Sequence, residues 1–131
     1  MAIKRYRILL ADDDLGVQRA VARVATQRNH EILGVMLGAE VCEAATRWLP
    51  DMIVLDVTFP DADGRDLLNQ LKASPQTKCI PVLVWSARLD RDSESRIALS
   101  LGAEDYVEKN DAVLLIRKIE RVLFRLQNSA A

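Results

Sequence analysis

Five times along this 131-residue chain, a short apolar run is followed by a stretch in which apolar residues recur at helical spacing. The runs at 6–11, 31–37, 52–57, 81–85 and 104–108 read as strands. Val17, Ala20, Val21, Val24 and Ala25 fall at i, i+3, i+4, i+7 and i+8, the pattern of a helix with one buried stripe. Further helices are expected over 41–49, stopped by Pro50, over 65–73, stopped near Pro75, and over 93–101, with Gly102 in the C-terminal capping place. Asp111 opens a last helix whose buried stripe is Leu115, Ile116, Ile119, Val122, Leu123 and Leu126. In Met52-Ile53-Val54-Leu55 no polar residue alternates with the apolar ones, so this strand is covered on both faces, as in a parallel sheet. Strict strand–helix alternation predicts an α/β fold, a five-stranded parallel sheet with helices on both sides. The chain reads as a single domain over 1–131, without repeat, linker or second domain.

The polar residues that matter sit where these strands end. Strand one runs into Asp12-Asp13-Asp14, strand three into Asp56, strand four into Ser86 and strand five into Lys109. Ligands of open parallel sheets bind beyond the carboxyl ends of the strands, so one site is expected there. Asp12, Asp13 and Asp56 cannot all stay ionised side by side without a cation or a raised, coupled pKa. An all-oxygen donor set favours a hard divalent ion, and Mg²⁺ tolerates few protein ligands. A carboxylate can act as nucleophile toward phosphorus, a lysine can neutralise the phosphoryl oxygens, and a serine can hydrogen-bond one of them. Taken singly, each residue has a plainer reading. An Asp after a strand is usually a turn or helix cap, which is the role expected of Asp14, and a lone strand-end lysine is usually solvated. Their joint occurrence at strand carboxyl ends favours the site.

Composition removes other classes. A net charge of −1 gives no electrostatic reason to expect nucleic-acid binding. Residues 1–7 are charged with no long apolar stretch behind them, so they do not read as a signal peptide. No run approaches the roughly 18 apolar residues of a spanning helix, and a cytoplasmic protein is expected. Cys42 and Cys79 have neither metal spacing nor a disulfide framework and read as buried or half-buried thiols. His30 reads as a surface loop residue. Trp48 and Trp85 read as packing residues, and Trp85 could also report optically on the site. Phe124 points away from the stripe of the last helix, either as a lone exposed aromatic or as a dimer or partner contact.

Four segments carry a family likeness. They are Ile8-Leu9-Leu10-Ala11-Asp12-Asp13-Asp14, Asp51-Met52-Ile53-Val54-Leu55-Asp56 with Pro60 and Asp63-Gly64, Pro81-Val82-Leu83-Val84-Trp85-Ser86-Ala87, and Gly102-Ala103-Glu104-Asp105-Tyr106-Val107-Glu108-Lys109. Together they resemble the receiver domain of two-component response regulators. The resemblance implies strand order 2-1-3-4-5, a flavodoxin-like doubly wound sheet. It implies that Asp56 accepts a phosphoryl group from a sensor histidine kinase or phosphotransfer protein. Mg²⁺ is then bound by Asp13 directly, by Asp12 largely through water, by Asp56 and by the Thr58 carbonyl. Lys109 binds the phosphoryl group, Ser86 and Tyr106 are the switch pair, and Thr58 and Arg88 tune the lifetime of the aspartyl phosphate. Output passes to a protein partner through the fourth helix, fifth strand and fifth helix, and a homodimer stays open. Where the family usually has Pro after the lysine, this chain has Asn110, and a trans bond is expected there because cis costs a non-proline residue about 3 kcal/mol.

The expected role is a signalling switch that catalyses only its own phosphotransfer and autodephosphorylation, alone or as the receiver of a longer regulator. A Mg²⁺-dependent phosphatase of the haloacid dehalogenase type is the enzymatic alternative. It needs a second Asp two residues after the nucleophile, where this chain has Thr58, and a cap domain. A flavodoxin-like flavin binder needs a Ser/Thr/Gly-rich phosphate loop after strand one, where this chain has three carboxylates.

Overall fold

The computed structural model describes residues 4–87, 91–109 and 111–128, with the side chains of 91–95 left aside. Arg88 and the Lys109–Asn110 bond, both singled out in the sequence, lie outside the described residues. The strands are β1 (Arg7–Ala11), β2 (Glu31–Val35), β3 (Met52–Asp56), β4 (Val82–Ser86) and β5 (Asp105–Glu108). The helices are α1 (Leu15–Gln27), α2 (Val41–Trp48), α3 (Gly64–Ala73), α4 (Arg91–Ser100) and α5 (Ala112–Asn128). All strand pairs are parallel, in the order β2-β1-β3-β4-β5.

Side-chain alternation along the central strands divides the core into two layers. Leu9, Ile53, Leu55, Val82 and Val84 pack toward α2 and α3, while Ile8, Leu10, Met52, Val54 and Leu83 pack toward α1 and α5. Every residue of β3 is buried, which is why residues 52–55 are apolar without alternation ahead of Asp56. The stripe of α5 is buried from Leu115 to Leu123, with Leu126 at its margin.

Differences from expectation have local causes. β2 stops at Val35, opposite the last residue of β1, and as an edge strand it has no other neighbour to carry it to Leu37. Met36 and Leu37 are left exposed there. α4 begins at Arg91, ahead of the expected 93, because no apolar position marks its first turn. Leu49 takes the left-handed conformation (φ 49°) that caps α2 before Pro50, and Gly102 (φ 104°) follows α4 as expected.

His30 is a correction: it is 4% exposed, not a surface loop residue. The turn at Arg28–Asn29 folds its ring against Tyr6, with centroids 5.4 Å apart. Cys79 is also corrected. It lies exposed in the turn before β4, whereas Cys42 is half-buried, which pushes its thiol pKa up.

Candidate functional site

Four adjacent strands, β1, β3, β4 and β5, deliver the site. Asp12 follows β1, Asp56 closes β3 and Lys109 follows β5, with Ser86 closing β4 between the last two. Register places Asp56 opposite Trp85 and Ser86 opposite Glu108, so the four positions form one row at the carboxyl edge. Lys109 is anchored by its own N–H, which donates to the Ser86 carbonyl at 2.8 Å.

The Lys109 ammonium bridges two buried carboxylates, donating to Asp12 Oδ2 at 2.6 Å and to Asp56 Oδ2 at 3.0 Å. Burial pushes the Asp56 carboxyl pKa up. The Lys109 hydrogen bond and charge pull it down, Asp12 pushes it up again, and the result lies above the ordinary aspartate value. Burial pulls the Lys109 pKa down, but the hydrogen bonds it donates to Asp12 and Asp56, with their charges, outweigh it and hold the ammonium above the usual lysine value. Asp12 is wholly buried and Asp13 exposed. One carboxylate oxygen from each of Asp12, Asp13 and Asp56 lies within 4.8 Å of the others. Three carboxylates facing one ammonium leave an excess of negative charge on hard oxygen donors, which suits a divalent ion that keeps much of its water, as Mg²⁺ does.

The β3–α3 loop completes the edge. Thr58 N–H donates to Asp56 Oδ1 at 3.3 Å, and Thr58 pairs with Asp63 in an isolated bridge. Thr58 itself is exposed. Asp61 accepts from the N–H groups of Gly38 and Ala39, tying this loop to the segment after β2, and those bonds hold its pKa below the ordinary value. Gly64 is required by close approach. A Cβ there would meet Val57 Cα at 2.5 Å and the Asp56 carbonyl at 2.7 Å, both backbone atoms that cannot swing away. Gly64→Ala is therefore expected to cost about 2–3 kcal/mol in urea unfolding and to displace the Asp56 end of β3. A loss under about 0.5 kcal/mol, the level of ordinary surface changes, would show that α3 moves aside freely.

Ser86 is buried at 1% exposure beside this row. Tyr106 is 7% exposed, its ring in the α2–α3 layer and its hydroxyl without a hydrogen-bond partner among the described residues. Asp14 accepts from Gly16 and Val17 N–H and caps α1, as the sequence suggested. Phe124 stands 66% exposed on α5. Trp48 packs at the margin of the core under the Arg7 guanidinium.

Two supporting residues escaped sequence reading. The Gln18 amide nitrogen lies 3.0–3.1 Å from the carbonyls of Leu10, Asp12 and Val35, holding the ends of β1 and β2 together. A Cβ at Gly34 would collide with that amide, so the glycine is its counterpart. Trp85 is buried as expected, but its indole N–H also points at Asp12 Oδ2, 3.3 Å away. A buried tryptophan N–H usually finds a partner, and a strand-end position beside Ser86 was the available signal.

A sequence-family model described as the response regulator receiver domain matches residues 8–120. The chain is 36% identical over 102 residues to the transcriptional regulatory protein KdpE of Mycobacterium tuberculosis, covering 78% of this chain and 43% of that protein. It is 35% identical over 120 residues to the response regulator MprA of Mycobacterium leprae, covering 91% of this chain and 51% of that protein. The chain thus spans about half the length of these curated relatives. A crystal structure of a response regulator from Desulfuromonas acetoxidans superposes with a TM-score of 0.83 at 32% identity, covering 92% of this chain and 98% of that one.

Proposed function

Since this chain belongs to the response regulator receiver domain family, we propose that it accepts a phosphoryl group on Asp56 and signals through a change of surface. The observation that carries this reading is the Lys109 ammonium held between Asp12 and Asp56 at the carboxyl edge of the sheet. An Asp56 carboxylate oxygen attacks phosphorus. The P–N bond of a kinase or phosphotransfer-protein phosphohistidine breaks, its electron pair stays on the imidazole nitrogen, and an acyl phosphate forms. Hydrolysis returns the carboxylate and releases inorganic phosphate, so the chain turns over only its own phosphoryl group.

Asp12, Asp13 and Asp56, with the Thr58 carbonyl, are the groups that would hold Mg²⁺, which when bound supplies charge neutralisation at the phosphoryl oxygens. Lys109 shares that task. The Thr58 N–H steadies Asp56 Oδ1 from the loop side. Ser86 supplies a hydroxyl to a phosphoryl oxygen, and Tyr106, which lies on β5 opposite Val84, two residues before Ser86, responds to its movement. The surface of α4, β5 and α5 then presents a different face to a downstream protein. Thr58 and Arg88, two residues beyond Asp56 and Ser86, tune the lifetime of the aspartyl phosphate.

No helix of the described residues is long and apolar enough to cross a membrane. The curated relatives are about twice as long, so the whole protein's output rests either on this surface or on a further domain. The length of the full gene product decides which.

Intact mass spectrometry after incubation with acetyl phosphate and Mg²⁺ tests the reading. One phosphoryl group should add to the wild type and none to Asp56→Asn or to a metal-free control. Addition to Asp56→Asn would move the acceptor elsewhere, and no addition under any condition, including with a phosphohistidine donor, would end the proposal.

A further inference from the structure

We propose that Trp85 is a positioning residue for Asp12: its indole N–H keeps the Asp12 carboxylate aimed when Lys109 turns to the phosphoryl group. The inference rests on the phosphoryl-transfer reading above and adds to it a residue to which the family likeness assigns no role.

Asp12 is fully enclosed, and each of its oxygens is already accounted for. Oδ1 accepts from Asp14 N–H at 2.9 Å. Oδ2 is shared by the Lys109 ammonium at 2.6 Å and the Trp85 indole nitrogen at 3.3 Å. The ammonium also serves Asp56 and lies 5.7 Å from the centroid of the Trp85 ring. A lysine has three N–H donors and one position. When phosphoryl oxygens reach Asp56, the same ammonium must satisfy them, and Asp12 Oδ2 loses its shorter bond. Without another donor a buried carboxylate oxygen would be left unsatisfied, and the carboxylate would rotate.

The indole is suited to remain. Its nitrogen only donates, so it has no competing acceptor role. Trp85 is 2% exposed and fixed in the α1–α5 layer among Leu10, Val54 and Leu115, so its ring cannot follow Lys109. Phenylalanine would fill most of the same space and lack only the donor. Trp85 also lines a cleft between β5 and α5 with Glu108, Leu114, Lys118 and Arg121, so the ring that senses Asp12 borders the surface assigned to signalling.

Two measurements test this. In ¹⁵N-labelled protein the two indole N–H signals are assigned with Trp48→Phe. The Trp85 signal should exchange slowly with solvent, move in Asp12→Asn without metal, and move again on adding Mg²⁺ or beryllofluoride. An indole that exchanges freely, or that is indifferent to Asp12→Asn, overturns the proposal without any Trp85 variant being made. Second, Trp85→Phe should weaken Mg²⁺ binding about tenfold by titration calorimetry, the size expected for a residue that orients a metal-binding carboxylate. Its rate of phosphoryl uptake at saturating Mg²⁺ should fall about tenfold as well, because Asp12 Oδ2 then has neither the indole nor the displaced ammonium as a donor. Unchanged Mg²⁺ affinity together with an unchanged saturated rate would reduce Trp85 to packing. If the wild type takes up no phosphoryl group, the functional reading fails, while the metal-free indole signals still decide the contact with Asp12.

Discussion

Lys109→Ala should lower the stability of the metal-free protein by about 3–5 kcal/mol at neutral pH, the cost of breaking a buried pair from one side. The cause lies in what remains. Asp12 and Asp56 are both buried, and Lys109 is the cation that bridges them. Removing it strands two carboxylates in a desolvated pocket with no cation between them, and Asp56 loses the hydrogen bond and charge that pull its pKa down. Even with Lys109 present, burial already holds the Asp56 pKa above its ordinary value.

The pH dependence follows in sign. A carboxyl whose folded pKa is raised destabilises the fold as pH climbs from the ordinary carboxyl value, about 4, through the raised one. The penalty of Lys109→Ala is therefore largest at neutral pH and shrinks as acid protonates Asp56. Lys109 itself, with a raised pKa in the fold, contributes stability that is complete below the ordinary lysine value and is lost only as pH rises through the raised one. Urea unfolding of both proteins at about pH 5 and pH 7.5 measures the difference; an equal penalty at the two values sinks the explanation. Millimolar Mg²⁺ should stabilise the variant more than the wild type, since the ion takes over neutralisation that Lys109 no longer supplies. Phosphoryl uptake should fall by about 100-fold or more, because the same ammonium neutralises the transferring group.

The architecture was legible because burial leaves a plain mark. The enclosed stretch 52–55 of β3 must be apolar throughout, and the stripe of α5 must repeat at helical spacing, so both could be read from residue type alone. The acidic edge was legible because buried charge is rare and had to be paired, and Asp12, Asp56 and Lys109 do meet. The identity of Asp12 as the residue bonded to Lys109, with Asp13 turned outward, depends on which side of the strand end each carboxylate leaves. Gln18 was hidden for a related reason: its amide satisfies backbone carbonyls, and such partners have no residue type to recognise. His30 was misread because its partners, Tyr6 and Glu120, are distant in sequence, and only the pairing of β1 with β2 and the packing of α5 on α1 assemble them.

That histidine network gives the second large effect, at the opposite end of the sheet from the phosphoryl site. Tyr6 N–H donates to His30 Nδ1 at 3.1 Å, so the ring proton sits on Nε2 and donates to Glu120 Oε2 at 2.6 Å. Arg28, at the C-terminal end of α1, grips both oxygens of Glu120 on α5, at 2.7 and 2.8 Å. Glu120→Ala orphans a fully buried imidazole N–H and unties α1 from α5, at an expected cost of about 2–3 kcal/mol at neutral pH. Glu120→Gln, which keeps one acceptor, should recover about half of that. Burial pushes the Glu120 pKa up, but the hydrogen bonds from Arg28 and His30 win and hold it below the ordinary glutamate value. A lowered carboxyl pKa contributes stability that is present above the unfolded value, about 4.3, and is lost as pH falls through the folded one. The penalty of Glu120→Ala should thus persist to about pH 5, where that of Lys109→Ala is already shrinking, and fade only in stronger acid. Because the network lies at the amino ends of β1 and β2, Glu120→Ala should take up phosphoryl groups from acetyl phosphate at close to the wild-type rate. A penalty for Glu120→Ala that shrinks already between neutral pH and about 5 would mean that burial, not Arg28 and His30, governs this carboxylate.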